Sequence, residues 1–206
     1  YVNPKDENEI YVGTWDQPGF YWSKNGGKGY KRLATDFNVF TLRPDPHNFS
    51  RVYLGSEQFV VGAVSKKESS FLVKAKPGTK DAIIKSIAID PTDSNHLLVG
   101  IGANLAEEPP GEGLWESHNG GDSWTRTKGI GNFAVYSIIF NPDDPQIVYA
   151  SALGGGVYKS SDGGKSFIPL GDEKLKYTYR LAMSPTDSNI IVASSNVFFA
   201  QLSSEE

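Results

Sequence analysis

The chain has 206 residues, a net charge of −4 and no cysteine, which excludes disulfides and thiolate metal sites and leaves no basic stripe to track a nucleic-acid backbone. Its 22 glycines and 12 prolines favour many turns over long helices. No apolar run reaches the roughly 20 residues that span a bilayer, and Tyr1-Val2-Asn3-Pro4 reads as neither a signal nor a transit peptide.

In chain order, one pattern recurs: an apolar strand, a proline, a polar turn and a second apolar strand. Its copies are YVNPKDENEIYVG, FTLRPDPHNFSRVYLG, IAIDPTDSNHLLVG, IIFNPDDPQIVYA and LAMSPTDSNIIVA. The prolines are taken as Pro4, Pro44, Pro91, Pro142 and Pro185, spaced by about 40 to 50 residues, as in a four-stranded propeller blade. Val2, Leu42, Ile89, Phe140 and Met183 stand two residues earlier, with Phe40, Ile87, Ile138 and Leu181 two before those. Period-two burial puts both columns on one face of a strand. Asp6, Asp93, Asp144 and Asp187 lie where a short acid bonds turn amides. They read as solvated turns rather than calcium ligands, since no dense oxygen-ligand loop accompanies them.

A second element follows in three of the units. Ser23 to Tyr30, Ser117 to Trp124 and Ser160 to Phe167 share the form S-x-(D/N)-x-G-x-x-aromatic. The Asp or Asn side chain (Asn25, Asn119, Asp162) accepts backbone N–H groups across a hairpin turn, and Gly27, Gly121 and Gly164 supply positive φ. The closing aromatics Tyr30, Trp124 and Phe167 are expected to bury their rings between strands. These octapeptides resemble Asp-boxes, also called BNR repeats, of sialidases, xyloglucanase-type glycoside hydrolases, sortilin-type receptors and photosystem II assembly factors. The resemblance implies a propeller fold and leaves activity open, because enzymes and non-enzymes share the turn.

The expected fold is therefore all-β: a β-propeller of four-stranded antiparallel blades at about 1–34, 35–76, 77–128, 129–171 and 172–206. The first and last blades read as incomplete, so four to five blades of a larger propeller are expected, with the remaining blades as partners. The rival is a small five-bladed ring.

By analogy with the family, the B–C and D–A loops share the ligand face. They nominate Trp15, Asp16, Phe37, Glu107, Glu108, Phe133, Tyr177 and Arg180 as ligand-binding residues. Trp15-Asp16 suits sugar stacking with an adjacent acid, though Trp15 also serves as a hydrophobic cap on its blade. The insertion from Asn104 to Glu112 is long and acidic, as recognition loops often are. Trp115, Tyr158 and Tyr21 read as core, and Trp22 has the opposite parity. His47, His96 and His118 fall in separate turns on the opposite face with no metal-ligand spacing, so neither metal nor cofactor is expected.

A sialidase needs three arginines around a carboxylate and a Tyr-Glu pair. Of Arg32, Arg43, Arg51, Arg126 and Arg180, only Arg180 is placed to point into a central site. A xyloglucanase-like hydrolase needs two carboxylates across a cleft, and no pair is selected among the loop acids. The expectation is a non-catalytic scaffold that binds a protein or glycan outside the cytoplasm. The alternative is part of a glycoside hydrolase whose acids lie in loop-face segments or elsewhere in the propeller.

Overall fold

The computed structural model describes residues 1–15, 19–35, 37–57, 62–64, 71–73, 77–78, 83–102 and 111–195. These form β1 (Val2–Asn3), β2 (Asp6–Thr14), β3 (Gly19–Ser23), β4 (Lys31–Thr35), β5 (Thr41–Pro44), β6 (Val52–Gly55), β7 (Gly62–Val64) and β8 (Phe71–Val73). They continue with β9 (Ile83–Ile89), β10 (Leu97–Gly102), β11 (Gly113–Ser117), β12 (Thr125–Arg126), β13 (Ala134–Phe140), β14 (Val148–Leu153), β15 (Gly156–Ser160), β16 (Ile168–Pro169), β17 (Thr178–Met183) and β18 (Ile191–Ser195). Among the described residues a single 3-10 turn occurs, at Glu173–Leu175. Among the described residues no helix is long and apolar enough to cross a membrane.

Three four-stranded antiparallel sheets run β1-β2-β3-β4, β9-β10-β11-β12 and β13-β14-β15-β16, each strand pairing with the one before it. The pairs β5–β6 and β7–β8, with β6 beside β7, make the second unit, and β17–β18 makes the fifth. The second, third, fourth and fifth units pack face to face in chain order. Repeating meanders of this kind are propeller blades.

Burial follows from this stacking. All six residues of β10 are buried, because a sheet covered on both faces reads as a continuous apolar run. Leu97, Val99 and Ile101 pack with Tyr53, Ile84 and Ile87 toward the second unit. Leu98 points the other way, joining Val135, Ile138, Phe140, Tyr158 and Phe167 between the third and fourth units. Tyr11, Phe20, Leu33, Val39, Val52 and Leu54 fill the joint between the first and second. Each fully buried large side chain contributes about 1.5–3 kcal/mol.

Side chains also tie successive inner strands together. Arg43 Nε donates to the Ile87 carbonyl at 3.2 Å. Ser86 Oγ donates to the Val135 carbonyl at 2.9 Å, and the Leu181 amide donates to Ser137 Oγ at 3.2 Å.

The turns after the inner strands correct the proline register. The residue before the proline caps the turn: Asn3, Asp45, Asp90 and Asn141 each accept the amide two positions on, at 2.9, 2.8, 2.7 and 2.9 Å. Ser184 Oγ does the same in the last unit. In the second unit the proline that follows this cap is Pro46, so the repeat column runs through Pro46 and not Pro44. The acids after the proline bond turn amides as expected from sequence: Asp6, Asp93, Asp144 and Asp187 accept from Asn8, Asn95, Gln146 and Asn189 at 2.9–3.1 Å. Asn48 fills that column in the second unit, accepting from Ser50.

Candidate functional site

The three octapeptides fold into turns closed by the same set of hydrogen bonds. Ser23, Ser117 and Ser160 each donate to the following Asn or Asp Oδ1 at 2.9, 2.9 and 2.7 Å, and accept the amides of Gly27, Gly121 and Gly164 at 2.9–3.0 Å. Asn25, Asn119 and Asp162 in turn accept the amides of Gly29, Ser123 and Ser166 at 2.9–3.0 Å. Desolvation raises the Asp162 carboxyl, but hydrogen bonds from Ser166, Ser160 and two backbone amides outweigh it and hold it down at about 2.

The closing aromatics differ from one another. Phe167 is 3% exposed and Trp124 packs against the core of the third unit. Tyr30 is 49% exposed, which corrects the expectation that its ring is buried. Phe167 lies on residues of the preceding sheet, and within these residues the first sheet has no earlier sheet to receive Tyr30.

On the opposite, loop face the inner strands share a device that sequence columns did not bring out. The β9–β10 register slips at Gly100/Ile101, leaving Lys85 unpaired. The same slip leaves Tyr136 unpaired between β13 and β14 and Tyr179 between β17 and β18. Bulges re-aim a side chain at the rim of a sheet. With the register set by Pro46, Phe40 occupies the same column as Lys85, Tyr136 and Tyr179, whereas counting from Pro44 places it two residues out of line.

These residues meet in two groups. Lys85 Nζ lies 4.7 Å from the Phe40 ring centroid, and Phe40 lies 6.3 Å from Trp15. Tyr136 and Tyr179 touch at 4.9 Å between centroids with a 60° tilt. Burial lowers the Lys85 ammonium below the usual lysine range, with Glu57 opposing the shift. Burial raises the Tyr136 phenol, and Tyr179 adds to it. Asn38 donates to Glu57 Oε1 at 3.5 Å, so a carboxylate, an amide, an ammonium and two aromatic faces share one patch.

Of the residues nominated from sequence, Trp15 is 62% exposed and Tyr177 is 49% exposed. Phe37 is half-buried against the core of the first two units. Phe133 is half-buried against the third–fourth joint, its ring 2.8 Å from where a Cβ on Gly155 would stand. Arg180 is exposed on β17. Burial lowers the Arg43 guanidinium, Tyr1 opposes this, and Arg180 adds repulsion. Asp16, Glu107 and Glu108 lie outside the described residues.

The face bearing the turns holds a groove of about 540 Å³ where Tyr1, Arg43, His47, Phe49, Ile139 and Pro142 converge. The same face brings His96 and His118 together, ring on ring at 4.4 Å, whereas sequence had left the histidines scattered. The signal was the β10–β11 register, in which Leu97 opposes Ser117 and carries the next residue of each strand to a common point.

No family model matches the sequence. The chain is 24% identical over 211 residues to a probable oligoxyloglucan-reducing end-specific xyloglucanase of Neosartorya fischeri, covering 90% of this chain and 25% of that protein. Among solved structures it is similar to an ancestral GH74 enzyme, with a TM-score of 0.72 and 24% identity over 89% of this chain and 25% of that one. It is also similar to the GH74 xyloglucanase of Xanthomonas campestris, at TM-score 0.71 and 18% identity, covering 94% of this chain and 34% of that one. YCF48 bound to a D1 peptide aligns at TM-score 0.58 and 13% identity, covering 86% and 55% of the two chains. The chain thus spans a quarter to a third of the length of these two xyloglucanases and the ancestral GH74 enzyme. It has the β-propeller fold.

Proposed function

We propose that this chain is a run of blades from a xyloglucanase-like glycoside hydrolase and that its loop face binds polysaccharide. The observation that carries the reading is the aromatic and cationic row at the rim, Trp15, Phe40, Lys85, Tyr136 and Tyr179, with Trp15 presenting 62% of its surface to solvent. Sugar faces stack on exposed aromatic rings, and a buried ammonium and a carboxylate beside them bond hydroxyls. The octapeptide turns are read as Asp-boxes, on the strength of their shared Ser–Asx–Gly hydrogen bonds.

The likeness to xyloglucanases supports the hydrolase branch over a free-standing scaffold. This segment supplies binding surface, and the catalytic carboxylate pair is assigned to none of its described residues. An extracytoplasmic location belongs with the reading, since such polysaccharides lie outside the cell. A protein-binding scaffold is the second reading, favoured by the likeness to YCF48 bound to a peptide.

Affinity electrophoresis in xyloglucan gels tests binding, and release of reducing sugar from xyloglucan tests hydrolysis. Retarded migration that Trp15→Ala relieves is the expected result. Migration unaffected by xyloglucan, together with no sugar release, overturns the reading in favour of the scaffold.

A further inference from the structure

A second cluster lies on the turn face and takes no part in the loop-face reading. His96 immediately precedes β10 and His118 immediately follows β11. Because Leu97 opposes Ser117 and Leu98 opposes Glu116, His96, Glu116 and His118 fall on one side of this strand pair. That side looks toward the fourth sheet: the Phe140 ring meets His96 edge-on at 5.4 Å, and a Cβ on Gly163 would stand 3.8 Å from His96 Cε1.

The hydrogen bonding of His96 is one-sided. Its Nδ1 lies 2.9 Å from Asp90 Oδ2. Asp90 also accepts from the amide and hydroxyl of Thr92 at 2.7 Å each. An ionised carboxylate only accepts, so Nδ1 carries a proton, and in the neutral tautomer the Nε2 lone pair faces away from Asp90. His96 is 7% exposed, and its Nε2 has no hydrogen-bond partner. Leaving such an acceptor buried and unsatisfied is costly, so it calls for an explanation. Glu116 Oε2 is likewise buried without a hydrogen bond, and it stands 3.3 Å from His118 Nε2.

We propose that His96, Glu116 and His118 form a three-ligand site for a divalent cation of the zinc class at the joint between the third and fourth sheets. One ligand atom from each lies within 4.8 Å of the others. Two imidazoles and a carboxylate are a donor set suited to Zn²⁺, with a fourth position left to water. The Asp90–His96 contact is the outer-sphere carboxylate that fixes the tautomer and aim of a metal-binding imidazole. Bonds of about 2.0–2.2 Å draw the ligand atoms closer together than they stand, and His118, whose side chain is 55% exposed, has the freedom to rotate inward.

The octapeptide frame does not require these residues. His118 occupies a variable position of the turn, filled by Lys24 and Ser161 in the other copies. In the fourth sheet the corresponding positions are Ile147, Lys159 and Ser161, a set with no metal ligand. Among the described residues the third sheet alone combines the three donors, so the cluster is an addition to the fold and not part of its repeat.

The test is a Zn²⁺ titration of the chelator-stripped protein in competition with a chromophoric chelator, paired with Co²⁺ absorption spectra and melting curves. One ion per chain is expected, with a Co²⁺ visible band and a Zn²⁺-dependent rise in Tm. His118→Ala and Glu116→Gln should each weaken binding at least tenfold. His118→Ala should melt like the parent in the absence of metal because His118 is on the surface, and its binding loss is therefore the one that reads the site apart from folding. Binding that neither variant weakens, or no zinc-dependent change at all, overturns the proposal and leaves an ion-paired cluster only. Xyloglucan binding is read separately, so either outcome leaves the loop-face reading where it stands.

Discussion

Gly164 of the fourth sheet stands so close over Leu98 of the third that a Cβ at this position would come within 2.7 Å of Leu98 Cδ1. Its φ of 101° also lies where side chains are strained. Gly164→Ala therefore meets both a backbone and a packing penalty, and we expect a loss of about 1–3 kcal/mol. Urea denaturation should show a lower midpoint with an unchanged slope, and an unshifted midpoint would refute the close approach.

Asp162 gives the fourth-sheet turn a pH dependence that its counterparts lack. Its folded carboxyl titrates at about 2, against an ordinary value of about 3.9. As pH falls the unfolded chain takes up the proton first, so the stabilisation is complete above about pH 4 and disappears toward pH 2. Asn119 serves the same role in the third sheet, donating from Nδ2 to Ser123 Oγ at 2.8 Å, so Asp162→Asn should keep the turn. Comparing Tm at pH 6 and pH 3, the variant is expected to lose less on acidification than the parent.

The column of closing aromatics predicts a graded response to truncation. Phe167 is 3% exposed and Tyr30 is 49% exposed. Phe167→Ala should cost about 3–5 kcal/mol, and Tyr30→Ala should stay within about 0.5 kcal/mol, as surface changes do. Equal losses at the two sites would mean that the rings are equally packed.

Burial lowers the Lys85 pKa and the Glu57 charge opposes the shift. Glu57→Gln removes the opposing charge, so the Lys85 pKa should fall further. Carbon-detected NMR of the lysine ε position would follow this, and a rise in the value would contradict the geometry. Lys85→Met should change stability by less than about 1.5 kcal/mol, since an unbranched apolar chain replaces a buried ammonium of similar volume.

The architecture was legible from the octapeptides and the apolar columns because both answer to local physics: a Ser–Asx–Gly turn closes on itself, and period-two burial shows in the residues. The second unit was misaligned by one strand period because two prolines, Pro44 and Pro46, flank Asp45, and only the Asp45 to His47 amide bond tells which one ends the strand. The loop-face row stayed hidden for the related reason that Lys85, Tyr136 and Tyr179 sit at register slips, where alternation fails. His96 and His118 are distant along the chain, and only strand pairing brings them together. Tyr30 shows the converse limit: a motif specifies its own turn, and the neighbouring sheet decides whether the ring is covered.

Arg43, Ser86 and Ser137 have a mechanical consequence. Each fastens one inner strand to the next through a single side-chain bond. Away from the inner strands the third and fourth sheets also share main-chain bonds, the Lys128 amide donating to Lys165 and the Phe167 amide to Lys128 at 3.0 Å each, while the continuous ladders stay within each sheet. The assembly is a chain of stiff plates joined by pins, and a disturbance in one plate reaches only the plates beside it. Cutting the pin at Ser86 should loosen the angle between the third and fourth sheets, and with it the spacing of Lys85 and Tyr136 along the rim, while both sheets keep their own hydrogen bonds.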